Sequence, residues 1–185
     1  MSKAPKPIFL DRDGTINEQV NFLSDFSQMR LLPKAAAAIR AANQTGHPVI
    51  VLTNQSGVAR GLFSEEFARE SAGHLQSLLA AEGARFDGYY FCPFHLEGRP
   101  PYNVDSEDRK PAPGMMLRAA RDHGLTLDGA FMIGDRGSDL ETGAHLGVVP
   151  LLVRTGYGAE TERALPPAFF RRGGRVFDEI GAAIS

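Results

Sequence analysis

Ile8-Phe9-Leu10-Asp11-Arg12-Asp13-Gly14-Thr15 is the stretch whose reading decides the fold. An apolar run of three residues stops at one carboxylate, and a second carboxylate follows two residues on, before a glycine. A short apolar run of this kind suits a strand buried on both faces. Residues 48–53 (Pro-Val-Ile-Val-Leu-Thr), 86–92 (Phe-Asp-Gly-Tyr-Tyr-Phe-Cys), 130–134 (Ala-Phe-Met-Ile-Gly) and 148–153 (Val-Val-Pro-Leu-Leu-Val) read the same way. Helix signals lie between them. Pro33 opens an Ala-rich stretch that closes near Gly46, and Ser64-Glu65-Glu66 is an N-cap with acids in the first turn of a helix running to Gly83. Pro113–Gly124 and Ser138–Gly147 are two more, each closed by glycine. Strand–helix alternation predicts an α/β chain: a three-layer, Rossmann-like α/β/α sandwich on a mostly parallel sheet. After residue 157 the pattern thins to a last strand and helix near Arg175–Ile184.

The layout carries a functional consequence. Asp11, Thr53 and Asp135 each fall where a predicted strand gives way to the next helix. In an open parallel sheet that edge binds ligands, so three polar residues far apart in sequence converge on one place. Asp11 and Asp13 alone read equally well as an acidic turn. With Asp135 they form a cluster whose ionised members, at ~4 Å, repel by about 4 kcal/mol at an effective dielectric of 20. Such a cluster needs a cation or raised pKa values. Oxygen-only ligands favour Mg2+. A hard cation beside a free carboxylate suits phosphoryl transfer, in which an aspartyl-phosphate divides one difficult step into two. Thr53 and Asn54 offer a hydroxyl and backbone N–H groups, and Lys110 offers a compact positive charge. Read singly, a Thr-Asn pair after a strand is usually a turn or cap and an Arg-Lys pair usually a solvated face, so both gain weight only jointly with the aspartates.

Composition narrows the classes. With 185 residues the chain is predicted to form one domain over 1–185, large enough to bury roughly 70% of its unfolded surface. A net charge of −2 gives no electrostatic case for nucleic acid or an anionic membrane. The one cysteine, Cys92, excludes an intrachain disulfide and suits a reducing compartment, and the apolar run before Asp11 is too short for a signal peptide or membrane span. A cytoplasmic monomer is expected.

Taken together, Asp11-x-Asp13-Gly14-Thr15, Thr53-Asn54-Gln55-Ser56-Gly57, Lys110-Pro111 and Gly134-Asp135-x-x-x-Asp139 resemble the motif series of the haloacid-dehalogenase-like (HAD-like) hydrolases over about residues 8–155. More narrowly, Leu10–Asn17, Thr53–Gly61, Arg109–Met115 and Val153–Gly156 resemble the D-glycero-D-manno-heptose 1,7-bisphosphate phosphatases and the related histidinol-phosphate phosphatases. The resemblance implies a phosphatase acting on a small phosphorylated sugar, with Asp11 as nucleophile and Asp13 as general acid, then base. Asp11, the backbone carbonyl of Asp13, and Asp135 would hold magnesium, and Thr53 and Lys110 would stabilise the phosphoryl group. Asn54, Arg109 and Arg136 would bind the rest of the substrate, and Asp139 would orient a metal-bound water or Lys110. The 39 residues between Asp13 and Thr53 leave little room for a cap domain, so substrate choice falls to loops 17–30 and 93–109.

The chain departs from many relatives at the zinc-bound loop. Phe94 occupies the position of a histidine, His95 lies one later, and Ser106 and Asp108 stand where a second cysteine pair is expected. Cys92 and His95 alone fall short of the four ligands of structural zinc, so none is predicted, and Cys92 reads as a small buried hydrophobe. Heptose bisphosphate is favoured over histidinol phosphate. From another class, a receiver-like phosphoacceptor also has an acidic pocket, but a switch that must stay phosphorylated has no use for Asp13. An inactive binding module has no support, and a dinucleotide-binding reading fails for want of G-x-G-x-x-G.

Overall fold

The computed structural model describes residues 5–184. Met1–Ala4, part of the stretch read above as too short for a signal peptide, lie outside the described residues. The sheet has six strands, all parallel: β1 (Ile8–Leu10), β2 (Val49–Asn54), β3 (Gly88–Cys92), β4 (Phe131–Gly134), β5 (Val149–Val153) and β6 (Arg175–Phe177). Their spatial order is β3-β2-β1-β4-β5-β6. Chain order therefore reverses between β1 and β4, and that switch point is where such sheets open a crevice for ligands.

The two faces follow from the period-two alternation of strands. Ile8, Leu10, Val49, Val51, Ile133 and Val153 point to one side, onto α1 (Ala35–Gln44), α2 (Glu65–Ala81) and α7 (Ile180–Ile184). Phe9, Ile50, Leu52 and Met132 point to the other, onto α3 (Gly114–His123). Leu152 continues that face toward α4 (Gly137–Glu141) and α6 (Pro167–Arg171). These are the three layers expected from the alternation. Between Asp13 and Thr53 the chain forms one short 3-10 turn, Phe26–Gln28, then α1 and most of β2, with no cap domain.

Most predicted elements appear, shifted by a residue or two. Ser64 Oγ accepts from Phe67 N at 3.0 Å and caps α2, as its sequence signal predicts. α1 starts two residues after Pro33, because Lys34 takes φ 64. Pro150, disfavoured inside a strand for lack of an N–H, sits one residue before β6 begins to pair at Leu151. The predicted helix Ser138–Gly147 is instead two pieces, α4 and a 3-10 turn at Ala144–Leu146. Thr142 is extended and Gly143 has φ 77, where an added Cβ would press on Met116 Sδ and Val148. Tight packing there breaks the helix. Beyond residue 157, α5 (Gly158–Glu162) and α6 precede the anticipated β6 and α7. No helix among the described residues is long and apolar enough to cross a membrane.

Candidate active site

Asp11 is the first residue past β1, and its N–H still bonds Ile133 O on β4 at 2.9 Å, which fixes its main chain across the switch point. The chain then doubles back: the N–H groups of Thr15, Ile16 and Asn17 all point at Arg12 O. Gly14 makes this turn at φ 84 beside Asp135, and Gly156 does the same from the loop after β5 at φ 57. A Cβ at either glycine would overlap Asp135 Oδ2. The two loops are tied by Thr155 Oγ1 donating to Gly14 O at 2.6 Å. Asp135, directly after β4, is thus cradled by backbone, and Tyr157 N donates to its Oδ2 at 2.8 Å.

Lys110 reaches this cluster from a loop. Its Nζ donates to Asp11 Oδ1 (2.6 Å) and Leu52 O (2.7 Å) and pairs with Asp139 Oδ1 at 2.6 Å. Its backbone is held by Asn54, whose Nδ2 donates to Lys110 O and whose Oδ1 accepts from Lys110 N, both at 3.0 Å. Asp139 is completed by Arg136 N donating to Oδ2 at 3.0 Å.

The electrostatics are those of crowded acids. Asp11, Asp135 and Asp139 each offer an oxygen within 4.8 Å of the others, and all three are buried. Burial, with Asp139 and Asp135 adding like charge, holds Asp11 well above the ordinary carboxylate range, though Lys110 opposes the shift. Burial and Asp139 push Asp135 up to about 7. Burial works against the charge on Lys110, yet Asp11 and Asp139 outweigh it and raise its affinity for the proton. Asp135 Oδ1 is buried with no hydrogen-bond partner. An unpartnered carboxylate oxygen among raised acids is the donor set a hard divalent cation requires, so the residues fit magnesium.

Asp13 lies at the other side of the turn. Its Oδ1 accepts from Asn17 Nδ2 at 2.9 Å, and its Oδ2 from Gln55 Nε2 at 3.0 Å and from Arg12. Gln55 Nε2 also donates to Thr53 Oγ1 at 2.8 Å, setting the hydroxyl at the end of β2. Above these residues opens a cavity of about 380 Å³ whose wall includes Phe22, Phe63, Arg60, His95, Arg109 and Arg136. Burial, reinforced by the like charges of Arg60 and Arg136, pushes the Arg109 guanidinium below its ordinary value. Burial and the cations Arg109 and Arg60 likewise lower His95. Arg60 Nε is buried without a partner. Arg136 lies over the Tyr157 ring, 3.8 Å from its centroid, and Tyr157 OH bonds Asn21 Oδ1 at 2.9 Å.

Every residue singled out from sequence therefore lies at this edge. Asp11, Asp13, Thr53, Asn54, Lys110, Arg109 and Arg136 line the cavity, and Asp135 lies beneath them beside Asp11. The Asn54 amide is engaged at both ends by Lys110, a contact different from the substrate contact expected of it. Gln55 and Asn17 had no assigned role. Asn17 is four residues from Asp13 and Gln55 two from Thr53 on one strand edge, spacings that offered the signal. At the end of β3, before loop 93–109, Cys92 is buried with its thiol toward Phe94 O at 3.9 Å. His95 Nδ1 accepts from Glu97 N, and Arg118 pairs with Asp108 at 2.8 Å.

A family model described as HAD-hydrolase-like matches residues 108–183. A D-glycero-beta-D-manno-heptose-1,7-bisphosphate 7-phosphatase of Rhodopseudomonas palustris is 43% identical over 141 residues, 76% of this chain and 78% of the relative. One from Mesorhizobium japonicum is 37% identical over 94% of this chain and 78% of its own length. The crystal structure of D,D-heptose 1,7-bisphosphate phosphatase from B. bronchiseptica, complexed with magnesium and phosphate, superposes with a TM-score of 0.84 at 34% identity, covering 97% of this chain and 96% of that one. The chain is a phosphoric monoester hydrolase of the HAD-like superfamily and belongs to the family of the D-glycero-D-manno-heptose-1,7-bisphosphate 7-phosphatases.

Proposed function

We propose that this protein removes the 7-phosphate of D-glycero-D-manno-heptose 1,7-bisphosphate with magnesium, through a phosphorylated Asp11. The observation that carries the reading is Asp11 held by Lys110 at the sheet's switch point, beside the unpartnered Asp135 Oδ1 and two residues from a second, hydrogen-bonded carboxylate. Asp11, the carbonyl of Asp13, and Asp135 would hold Mg2+, whose charge offsets repulsion between the anionic nucleophile and the anionic ester. Asp11 attacks phosphorus while Asp13 gives a proton to the departing sugar oxygen. Asp13 then takes a proton from the water that attacks the aspartyl-phosphate, freeing phosphate and Asp11. Lys110 and Thr53 stabilise the transferring group's equatorial charge, with Asn54 and Asp139 keeping Lys110 in place.

The cavity wall favours a second anionic group on the substrate. Arg60, Arg109 and Arg136 share it. Histidinol phosphate would bring an ammonium against three guanidinium groups, and a receiver-like switch would gain nothing from Asp13. We read the chain as one domain that works as a cytoplasmic monomer without structural zinc, since Cys92 is turned to Phe94 O and His95 is engaged by Glu97 N at Nδ1 and by Arg60 Nη2 at Nε2. The test is phosphate release from a panel of sugar phosphates and histidinol phosphate, with and without magnesium. Fastest magnesium-dependent release from the heptose bisphosphate, lost in Asp11→Asn, is expected. Preference for histidinol phosphate in kcat/KM would reverse the substrate assignment, and a stable acid-labile phosphoprotein without turnover would favour a switch.

A further inference from the structure

Arg12 stands between the two carboxylates of the turn, yet it is the bulkiest fully buried side chain among the described residues, 1% exposed. A guanidinium taken out of water is costly unless its donors are met. Here each of its three nitrogens is engaged. Nε and Nη2 fork onto Asp13 Oδ2 at 3.0 and 2.8 Å, while Nη1 donates to Ser71 Oγ at 2.9 Å and to Tyr89 OH at 3.2 Å. Ser71 interrupts the apolar stripe Ala68, Leu75, Leu79 of α2, and its hydroxyl donates to Ala68 O at 2.7 Å. Tyr89 belongs to β3, and its hydroxyl lies 3.2 Å from that of Ser71. A helix and an edge strand thus brace one guanidinium, and the guanidinium braces one carboxylate.

The consequence for Asp13 is directional. Oδ2 accepts one N–H from Arg12 Nε and one from Gln55 Nε2, lies 2.8 Å from Arg12 Nη2, and has no lone pair left for a proton. Oδ1 accepts only Asn17 Nδ2 and retains a lone pair. We infer that Arg12 is a positioning residue that, held by Ser71 and Tyr89, saturates Asp13 Oδ2 and turns Oδ1 into the atom that carries the shuttled proton. This rests on the phosphatase reading above. When the Asp11 oxygen–phosphorus bond forms and the ester bond breaks, the Oδ1 proton goes to the leaving oxygen. In the second half, Oδ1 takes a proton back from the attacking water. A guanidinium fork anchored in the body of the domain fixes this geometry without a cap domain to press Asp13 into place.

The test compares two esters with different need for a proton, in magnesium buffer: the heptose bisphosphate, whose sugar oxygen would be a poor alkoxide leaving group if not protonated, and p-nitrophenyl phosphate, whose leaving group is a stable phenolate. Arg12→Lys keeps the charge and loses the fork. We expect kcat/KM to fall about 100-fold on the sugar ester, the low end of what a placed general acid supplies, and less than about 3-fold on the aryl ester. Tyr89→Phe removes one brace with little risk to folding, and should show the same selectivity at about 3- to 10-fold. Equal losses on both esters, or no loss on the sugar ester, overturn the inference while leaving the phosphatase reading intact. So does an unfolded Arg12→Lys alongside an unaffected Tyr89→Phe. Wild-type protein inactive on both esters overturns the phosphatase reading and the inference with it.

Discussion

Replacing Lys110 with Met keeps an apolar stem of similar length and removes the one charge that touches both Asp11 and Asp139. Three buried carboxylates then face one another with oxygens within 4.8 Å. At an effective dielectric near 20, each ionised pair at that distance repels by about 3.5 kcal/mol. Removing one member of a buried ion pair costs about 3–5 kcal/mol. For a domain of this size that is a fall in Tm of about 6–20 °C. Calorimetry in chelator at pH 7.5 should show it. The carboxylates can escape the repulsion by binding protons, so the gap to wild type should narrow as pH falls toward 5, and it should narrow at pH 7.5 when magnesium is added. Activity should not return with stability, because a charge aimed at the transferring group is worth about 100- to 1,000-fold in kcat. A variant melting within about 2 °C of wild type in chelator would refute the reasoning, because Lys110 would then not be what offsets the crowding of the three acids.

Metal-free wild type should lose stability as pH rises. Asp135 is raised to about 7 against an ordinary value of 3.8, so the native state prefers its protonated form. That advantage is fully present below the ordinary value and disappears as pH passes 7, at up to about 1.4 kcal/mol per unit. Urea midpoints from pH 4 to 8 check this, and magnesium, which competes with the proton, should flatten or invert the trend. Gly156→Ala should cost about 2–3 kcal/mol, from positive φ and overlap with Asp135 Oδ2, and should weaken magnesium binding about tenfold by titration calorimetry. Unchanged magnesium affinity would mean that Asp135 relaxes without loss. Phe22 has φ 54, is 45% exposed and lines the cavity. Phe22→Gly should stabilise the fold by about 1 kcal/mol while raising KM. A lower Tm, or an unchanged KM, would show that the strained ring serves packing rather than the ligand.

What was legible in the sequence follows from topology. Asp11, Thr53 and Asp135 end strands, and a parallel sheet brings strand ends to one edge whatever the connecting helices do. Lys110 was legible only as a compact charge that gained weight beside the aspartates, since it lies in a loop without periodicity and is placed by Asn54 and Leu52 O, contacts that cross 56 and 58 positions of chain. Gln55, Asn17 and Arg12 sat inside the quoted motifs, but their shared target, Asp13, is set by the turn at Gly14 and by the hydroxyls of Ser71 and Tyr89. α5 and α6, each five residues long, are barely more than one turn and show no 3.6-residue period to read. The split at Gly143 is decided by Met116 and Val148, which no local pattern reveals.

Asp11 and Asp13 belong to the half of the sheet made by β1, β2 and β3, whereas Asp135 belongs to the half made by β4, β5 and β6. An ion shared between them would be a rivet across the molecule's central seam as well as a reagent. Its binding energy then appears as resistance of the seam to opening. The Asp11 amide proton, bonded across the seam to Ile133 O, should exchange more slowly when magnesium is present, while those at the β6 edge should be unaffected.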